Sequence, residues 1–199
     1  MRTVVAIVCF SALAACGPGG DDVFDASRYD AHTAPPDADI CLVPTDFVAP
    51  ALANQAATGV GADHAVPEAI VFDGDLDADA RPDILQLELT KGYGAFLDNI
   101  VPGTYVLAGD DLNYSTCGLC ARVFVDLDTT SGMPRKQQYF ATAGSFTITA
   151  IDPNVTGTFS DLQLVEITLS TDGTYRSTPV PDGCTTAVSS GSFDIAVEY

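Results

Sequence analysis

The chain has 199 residues, with 27 acidic against 8 basic side chains and a formal charge of −19 at pH 7. Such an excess argues against nucleic acid or anionic lipid surfaces as partners, since both are recognised through clustered Lys and Arg. The length suits one domain with a substantial buried core, and the charge favours solubility and attracts cations.

At the start, Arg2 precedes an apolar run from Thr3 to Ala15, and Gly17-Pro18-Gly19-Gly20 breaks any helix behind it. A charged start, a short apolar middle and a small-residue cut site make a secretory leader. The run falls short of the about 20 residues that a bilayer span needs. Leu13-Ala14-Ala15-Cys16 closely resembles the lipobox of bacterial lipoproteins. In that family the cysteine thiol is diacylated, the chain is cut just before it, and the new amino group is often acylated too. The resemblance implies that residues 1–15 are removed and that Cys16 carries a lipid partnered with the bilayer. Two or three acyl chains hold where one is marginal. Gly17 stands where Asp often signals inner-membrane retention in that family, so an outer-membrane location is implied. The competing reading is an ordinary secretory leader that happens to carry a cysteine at its cut site.

Residues 17–40 read as a tether. Asp21, Asp22, Asp25, Asp30, Asp37 and Asp39 face a single Arg28, with Gly, Ala and Pro between them. That composition does not offset its ordering entropy. As a flexible coil it spans roughly 25–30 Å, so the folded part stands off the lipid. Residues 49–57 are a weak helical candidate, and His64 falls in a turn-like Gly61-Ala62-Asp63-His64.

Asp73-Gly74-Asp75-Leu76-Asp77-Ala78-Asp79-Ala80-Arg81-Pro82-Asp83-Ile84 places five carboxylates within eleven residues. They repel one another unless a cation sits among them. Carboxylates of Asp75, Asp77, Asp79 and Asp83, with the Arg81 carbonyl, could form an oxygen-only shell suited to Ca²⁺. This loop resembles the calcium loops of FG-GAP and VCBS repeats, which set three acids at alternate positions and a fourth just before an apolar strand. It departs in having Ala80 where a turn glycine is usual, and in being a single copy. It is not an EF-hand, since Gln86 occupies the twelfth position counted from Asp75. The competing reading is an acidic, solvated turn between two strands.

Beyond the loop the period is two. Leu85, Leu87 and Leu89 alternate with Gln86, Glu88 and Thr90; Val123, Val125 and Leu127 with Arg122, Phe124 and Asp126. Phe146 and Ile148 alternate with Thr147 and Thr149, and Phe193, Ile195, Val197 and Tyr199 with Asp194, Ala196 and Glu198. One apolar and one polar face is what half-buried antiparallel strands need. The alternation slips between Leu164 and Val165, which predicts a β-bulge or turn there. Turn signals recur at Pro102-Gly103, Gly109-Asp110-Asp111, Ser131-Gly132, Asp152-Pro153-Asn154, Asp172-Gly173 and Pro181-Asp182-Gly183. The pattern predicts an all-β fold, an antiparallel β-sandwich or open barrel, as a single domain over residues 41–199.

With Cys9 in the leader and Cys16 lipidated, Cys41, Cys117, Cys120 and Cys184 remain. An even count in an exported chain points to two disulfides. Cys117 and Cys120 could bridge each other and leave Cys41 to Cys184. Alternatively each could staple one terminal segment, and the longer loops this closes slightly favour it in the loop-entropy model. Redox and zinc readings of Cys117-Gly118-Leu119-Cys120 are weaker. A strand pattern follows where a redox pair opens a helix, and Cys41 and Cys184 do not form a second close pair.

A catalyst is hard to find. His32 lies in the tether, and no serine occupies a Gly-x-Ser-x-Gly elbow. Glu68, Glu88, Glu166 and Glu198 sit on polar faces rather than as a carboxylate pair. Tyr93, Tyr105, Tyr114 and Tyr139 could form a sugar-stacking platform, though cross-strand packing is the commoner use. The layout is also similar to Gram-negative lipoproteins whose lipobox and acidic linker carry a small β domain with Thr-Cys-Gly-x-Cys, here Thr116 to Cys120. That resemblance implies no activity. The expectation is a non-enzymatic envelope lipoprotein, a binding or structural module with an envelope or extracellular partner. The alternatives are a calcium-dependent adhesion or carbohydrate module, and a hydrolase without a recognisable motif.

Overall fold

A computed structural model describes residues 41–48, 50–127 and 137–199; the leader, Cys16, the tether and the Ser131-Gly132 turn lie outside the described residues. The alternating segments form strands β1 (Ala53–Val60), β2 (Ala69–Asp75), β3 (Ile84–Thr90), β4 (Gly103–Val106) and β5 (Leu119–Phe124). They continue as β6 (Gln138–Ala150), β7 (Asn154–Leu169), β8 (Ser177–Pro179) and β9 (Thr185–Glu198). Short 3-10 turns at Gly94–Phe96 and Gly109–Leu112 flank β4. No helix among the described residues is long and apolar enough to cross a membrane.

The strands make one sheet, ordered β4-β6-β5-β3-β2-β1-β9-β7-β8, in which β6 also pairs with β7. The all-β expectation therefore holds, and the extra pairing joins β1, β2, β3, β5, β6, β7 and β9 into a ring. All ladders are antiparallel except β1 with β9, which meet over two pairs, Ala57↔Val197 and Thr58↔Glu198. Closing the ring removes most of the exposed strand edge that invites association. The weak helical candidate at 49–57 is instead the lead into β1, whose Ala57 is buried in the core. Packing a strand into the ring overrides alanine's local preference for helix.

Leu85, Leu87 and Leu89 point inward with Val123, Phe146, Ile148 and Phe193. The interior is filled. A void ringed by Ile70, Phe72, Leu87, Phe146 and Phe193 measures about 10 Å³, about the room one water needs. That void admits nothing larger than a water.

The predicted bulge between Leu164 and Val165 does not form. Leu164 pairs with Ala141 and Thr186, and Val165 with Phe140 and Thr185, in unbroken register. The slip has another cause. Leu162 and Leu164 face the core, whereas Val165, Ile167 and Leu169 join Phe140, Tyr114 and the Cys117–Cys120 pair in a second apolar cluster. That cluster lies on the outer face, where the loop carrying Tyr114 and Cys117 packs over it. The real irregularities in this ladder fall between Ala141 and Ala143, between Ala143 and Ser145, and between Ile148 and Ala150.

The segment before β1 lies along β9. Phe47 N–H donates to the Ala187 carbonyl (2.8 Å), and Ser189 N–H donates back to Phe47 (3.2 Å). Val43 and Phe47 are buried by this docking.

Candidate functional site

Strand parity sets Gln86, Glu88 and Thr90 of β3 beside Cys120, Arg122 and Phe124 of β5 on the outer face. Register then places Asp73, Gln86 and Arg122 in one row across three strands. Gln86 Nε2 donates to Asp73 Oδ1 at 2.9 Å, and Arg122 Nη2 donates to Gln86 Oε1. Alternation predicted an exposed Arg122, yet it is only 8% exposed. Its guanidinium lies 3.9 Å from the Tyr114 ring centroid and 4.8 Å from that of Phe124. Nη2 stands 3.9 Å from Glu88 Oε2, which also accepts a 3.1 Å bond from the Tyr114 hydroxyl. Nε is buried without a hydrogen-bond partner. Desolvation lowers the Arg122 pKa, while Tyr114 and Glu88 oppose it. The same burial raises the Tyr114 phenol above its usual value.

Above this charged floor lies a groove of about 300 Å³. Strand β3 contributes Glu88 and Thr90, and the following loop contributes Tyr93. The loop into β5 supplies Tyr114, Ser115 and the Cys117–Cys120 disulfide, and the β7–β8 hairpin supplies Gly173, Thr174 and Tyr175. Each wall is held by its own polar contacts. Asp111 Oδ1 accepts amide bonds from Ala95 (3.2 Å), Gly118 (2.8 Å) and Leu119 (3.0 Å), tying the Tyr93 loop to the start of β5. Asn113 Nδ2 donates to the Ser177 carbonyl at 3.0 Å, and Tyr114 N–H to Ser177 Oγ at 3.1 Å, clasping the hairpin against the loop. At the hairpin tip Asp172 Oδ1 accepts from the Thr174 hydroxyl (2.6 Å) and amide (3.0 Å). Those bonds hold its carboxyl at a pKa of about 2. A second depression, about 390 Å³ along residues 94–101, comes from one loop alone and lacks such convergence.

Of the four tyrosines read as a platform, Tyr93 and Tyr114 meet here. Tyr139 is fully buried, and Tyr105 packs edge-on against Phe96 at 4.9 Å. Tyr175, Asp111 and Asn113 were missed, because Gly109-Asp110-Asp111 and Asp172-Gly173 read as plain turns. His64 sits in an exposed loop and stacks on Tyr199 at 3.8 Å.

The disulfides are Cys41–Cys184 and Cys117–Cys120, not the crosswise pairing that loop entropy slightly favoured. Native geometry decides between them. The turn over Cys117–Cys120 brings their Cα atoms to 5.4 Å, and docking of the N-terminal segment brings Cys41 within 5.6 Å of Cys184. Both separations suit a bridge. With all four thiols bonded, none is free to ligate zinc, and Cys120 lies in a strand rather than at a helix start.

The aspartate ladder folds on its own bonds. Asp75 Oδ2 accepts from Asn54 Nδ2 at 2.6 Å, and Asp77 Oδ1 accepts the amides of Asp79 (3.3 Å) and Asp83 (3.2 Å). Arg81 is exposed, and Asp83 turns inward to accept the Asp126 amide at 3.0 Å. Among the described residues no group of three or more His, Cys, Asp or Glu side chains is placed to hold a metal.

Asp83 has a pH consequence. It is 5% exposed, and desolvation raises its pKa to about 6 from 3.8. The Asp126 amide opposes that rise, while Asp77, Asp126 and Asp79 add repulsion. The folded state therefore binds more protons than the unfolded chain between about pH 4 and 6, so stability falls as pH rises through that window. Asp83→Asn keeps the acceptor without the charge. It is expected to flatten that slope and to stabilise the domain at neutral pH by about 1–3 kcal/mol. Melts of both proteins across the window check this, and parallel slopes would refute it.

Comparison with protein-family models, with curated proteins and with solved structures gives no match, so the groove must be read from its own chemistry.

Proposed function

We propose that the chain is an exported lipoprotein, held in the outer membrane through acylated Cys16, whose β domain binds a ligand or partner rather than transforming one. The observation that carries this reading is Leu13-Ala14-Ala15-Cys16 behind Arg2 and a short apolar run. The rest of the molecule is consistent in kind. Two disulfides suit an oxidising compartment. The groove offers one carboxylate, Glu88, already engaged by Tyr114 and Arg122. Paired-acid hydrolysis needs two facing carboxyl groups. Glu68 is instead tied to Lys91 at 3.3 Å, and Glu166 accepts the Cys184 amide at 3.0 Å.

Expression in a Gram-negative host fed an alkyne-tagged palmitate tests the anchor. The wild-type chain is expected to take the label and sediment with membranes, whereas Cys16→Ser does neither. An unlabelled wild-type chain would overturn the reading.

A further inference from the structure

We propose that the outer groove is a saccharide site, taking a neutral, hydroxyl-rich sugar ring against Tyr93 and Tyr175. This deepens the binding reading above and rests on it, but not on the lipid anchor.

The aromatic evidence comes first. Tyr93 and Tyr175 are 51% and 60% exposed beside the same cavity. Core packing does not account for rings left this open. A tyrosine is apolar on its faces and polar at its tip, which matches a pyranose with C–H bonds on its faces and hydroxyls at its rim. Tyr175 also adopts φ = 53°, a left-handed backbone that is a genuine outlier for a bulky residue. The Asp172–Thr174 bonds hold the hairpin tip that presents it. Strain of that kind persists where the surroundings impose it, and it clusters at ligand sites.

Charge then selects the ligand class. Glu88 is the one charged side chain among those lining the groove, and Arg122 stands 3.9 Å from it. A cation would find the Tyr114 ring already stacked by that guanidinium. An anion would find neighbouring Lys91 paired with Glu68. A neutral ligand meets neither obstacle.

Hydrogen-bond polarity narrows it further. The Thr90 hydroxyl donates to Glu88 Oε1 (3.3 Å), Ser115 to Asn113 Oδ1 (2.8 Å) and Thr174 to Asp172 Oδ1 (2.6 Å). Each hydroxyl spends its proton on the protein and keeps lone pairs to accept with. Such a wall favours a ligand rich in O–H donors. The volume, about 300 Å³, lies at the small end of ligand pockets.

The test uses the full chain carrying Cys16→Ser, titrated by calorimetry with cellotetraose, xylotetraose, maltotetraose, mannotetraose and chitotetraose. Choline chloride and inorganic phosphate serve as ionic probes. At least one oligosaccharide is expected to bind saturably, and neither ionic probe is. Tyr93→Ser and Tyr175→Asn are each expected to weaken that binding about tenfold with the melting temperature preserved. Asparagine tolerates the left-handed backbone, and Tyr175→Phe is expected to retain binding. No saturable binding by any of the five sugars would overturn the proposal. So would sugar binding that survives loss of both tyrosines, or tyrosine-dependent binding of choline or phosphate. Because the tested chain carries no lipid, failure here leaves the acylation result untouched, and failure there leaves this one untouched.

Discussion

Replacing Cys41 and Cys184 together by serine is expected to lower the melting temperature by about 10–20 °C. The bridge joins residues 143 apart in sequence. Closing so long a loop stabilises by about 5 kcal/mol in the loop-entropy model, against about 2 kcal/mol for a bridge as local as Cys117–Cys120. A domain of this size loses about 2–4 °C per kcal/mol. The position of the bridge makes the loss structural as well. It pins the segment that docks along β9 through Phe47, through the Pro44 carbonyl that accepts from Thr186 (2.7 Å), and through Thr45. That docking, at Val188, lies on the same edge of β9 as its two-pair junction with β1 at Val197 and Glu198, the shortest ladder in the ring. Melts of this variant and of Cys117→Ser/Cys120→Ser give the comparison, with non-reduced peptide mass spectrometry to verify the pairing. A loss in the local pair equal to or larger than in the long one would contradict the argument.

Inward faces could be read from the chain because they follow strand parity alone. Leu85, Leu87 and Leu89 are buried as their spacing requires, and Asp172-Gly173 and Pro181-Asp182-Gly183 fall between strands as turns. Outer faces could not be read, because what covers them comes from elsewhere in sequence. Arg122 looks like a solvated residue until Tyr114 and Phe124 close over it. Val165 and Ile167 look like a broken alternation until Phe140 and Cys117 are placed beside them. The groove carries this further, since residues from Glu88 to Tyr175 build it and no local pattern joins them. Ring closure had no local signal either: Ala57 and Val197 pair in parallel across nearly the whole domain. The aspartate ladder shows the same limit, since its spacing does not reveal the amides and Asn54 that bond to its oxygens.

Asp111→Ala is expected to cost about 3–5 kcal/mol, because it strands two buried amides, Gly118 and Leu119, and the part-buried Ala95 amide at once. The Asp111 side chain reads as one more acid in a turn, yet it is 6% exposed and its Oδ1 is the shared acceptor for Ala95, Gly118 and Leu119. The chain is built tightly around it. A Cβ at Gly94, which has φ = 37°, would collide with the carboxylate, and one at Gly118 would collide with the Tyr93 carbonyl. Backbone packed this closely leaves little room for water to replace the lost oxygen. Asp111→Asn keeps an acceptor at the same place and is expected to recover most of the loss, which separates hydrogen bonding from charge. Urea melts of both variants measure the cost, and hydrogen exchange at the Gly118 and Leu119 amides locates it. Because those amides open β5 and the Ala95 amide follows Tyr93, the alanine variant loses the register between two walls of the groove. Sugar binding should therefore fall further than in Tyr93→Ser, which removes a ring and leaves the walls in place. Equal losses in the two variants would mean that Asp111 stabilises the domain without positioning the site.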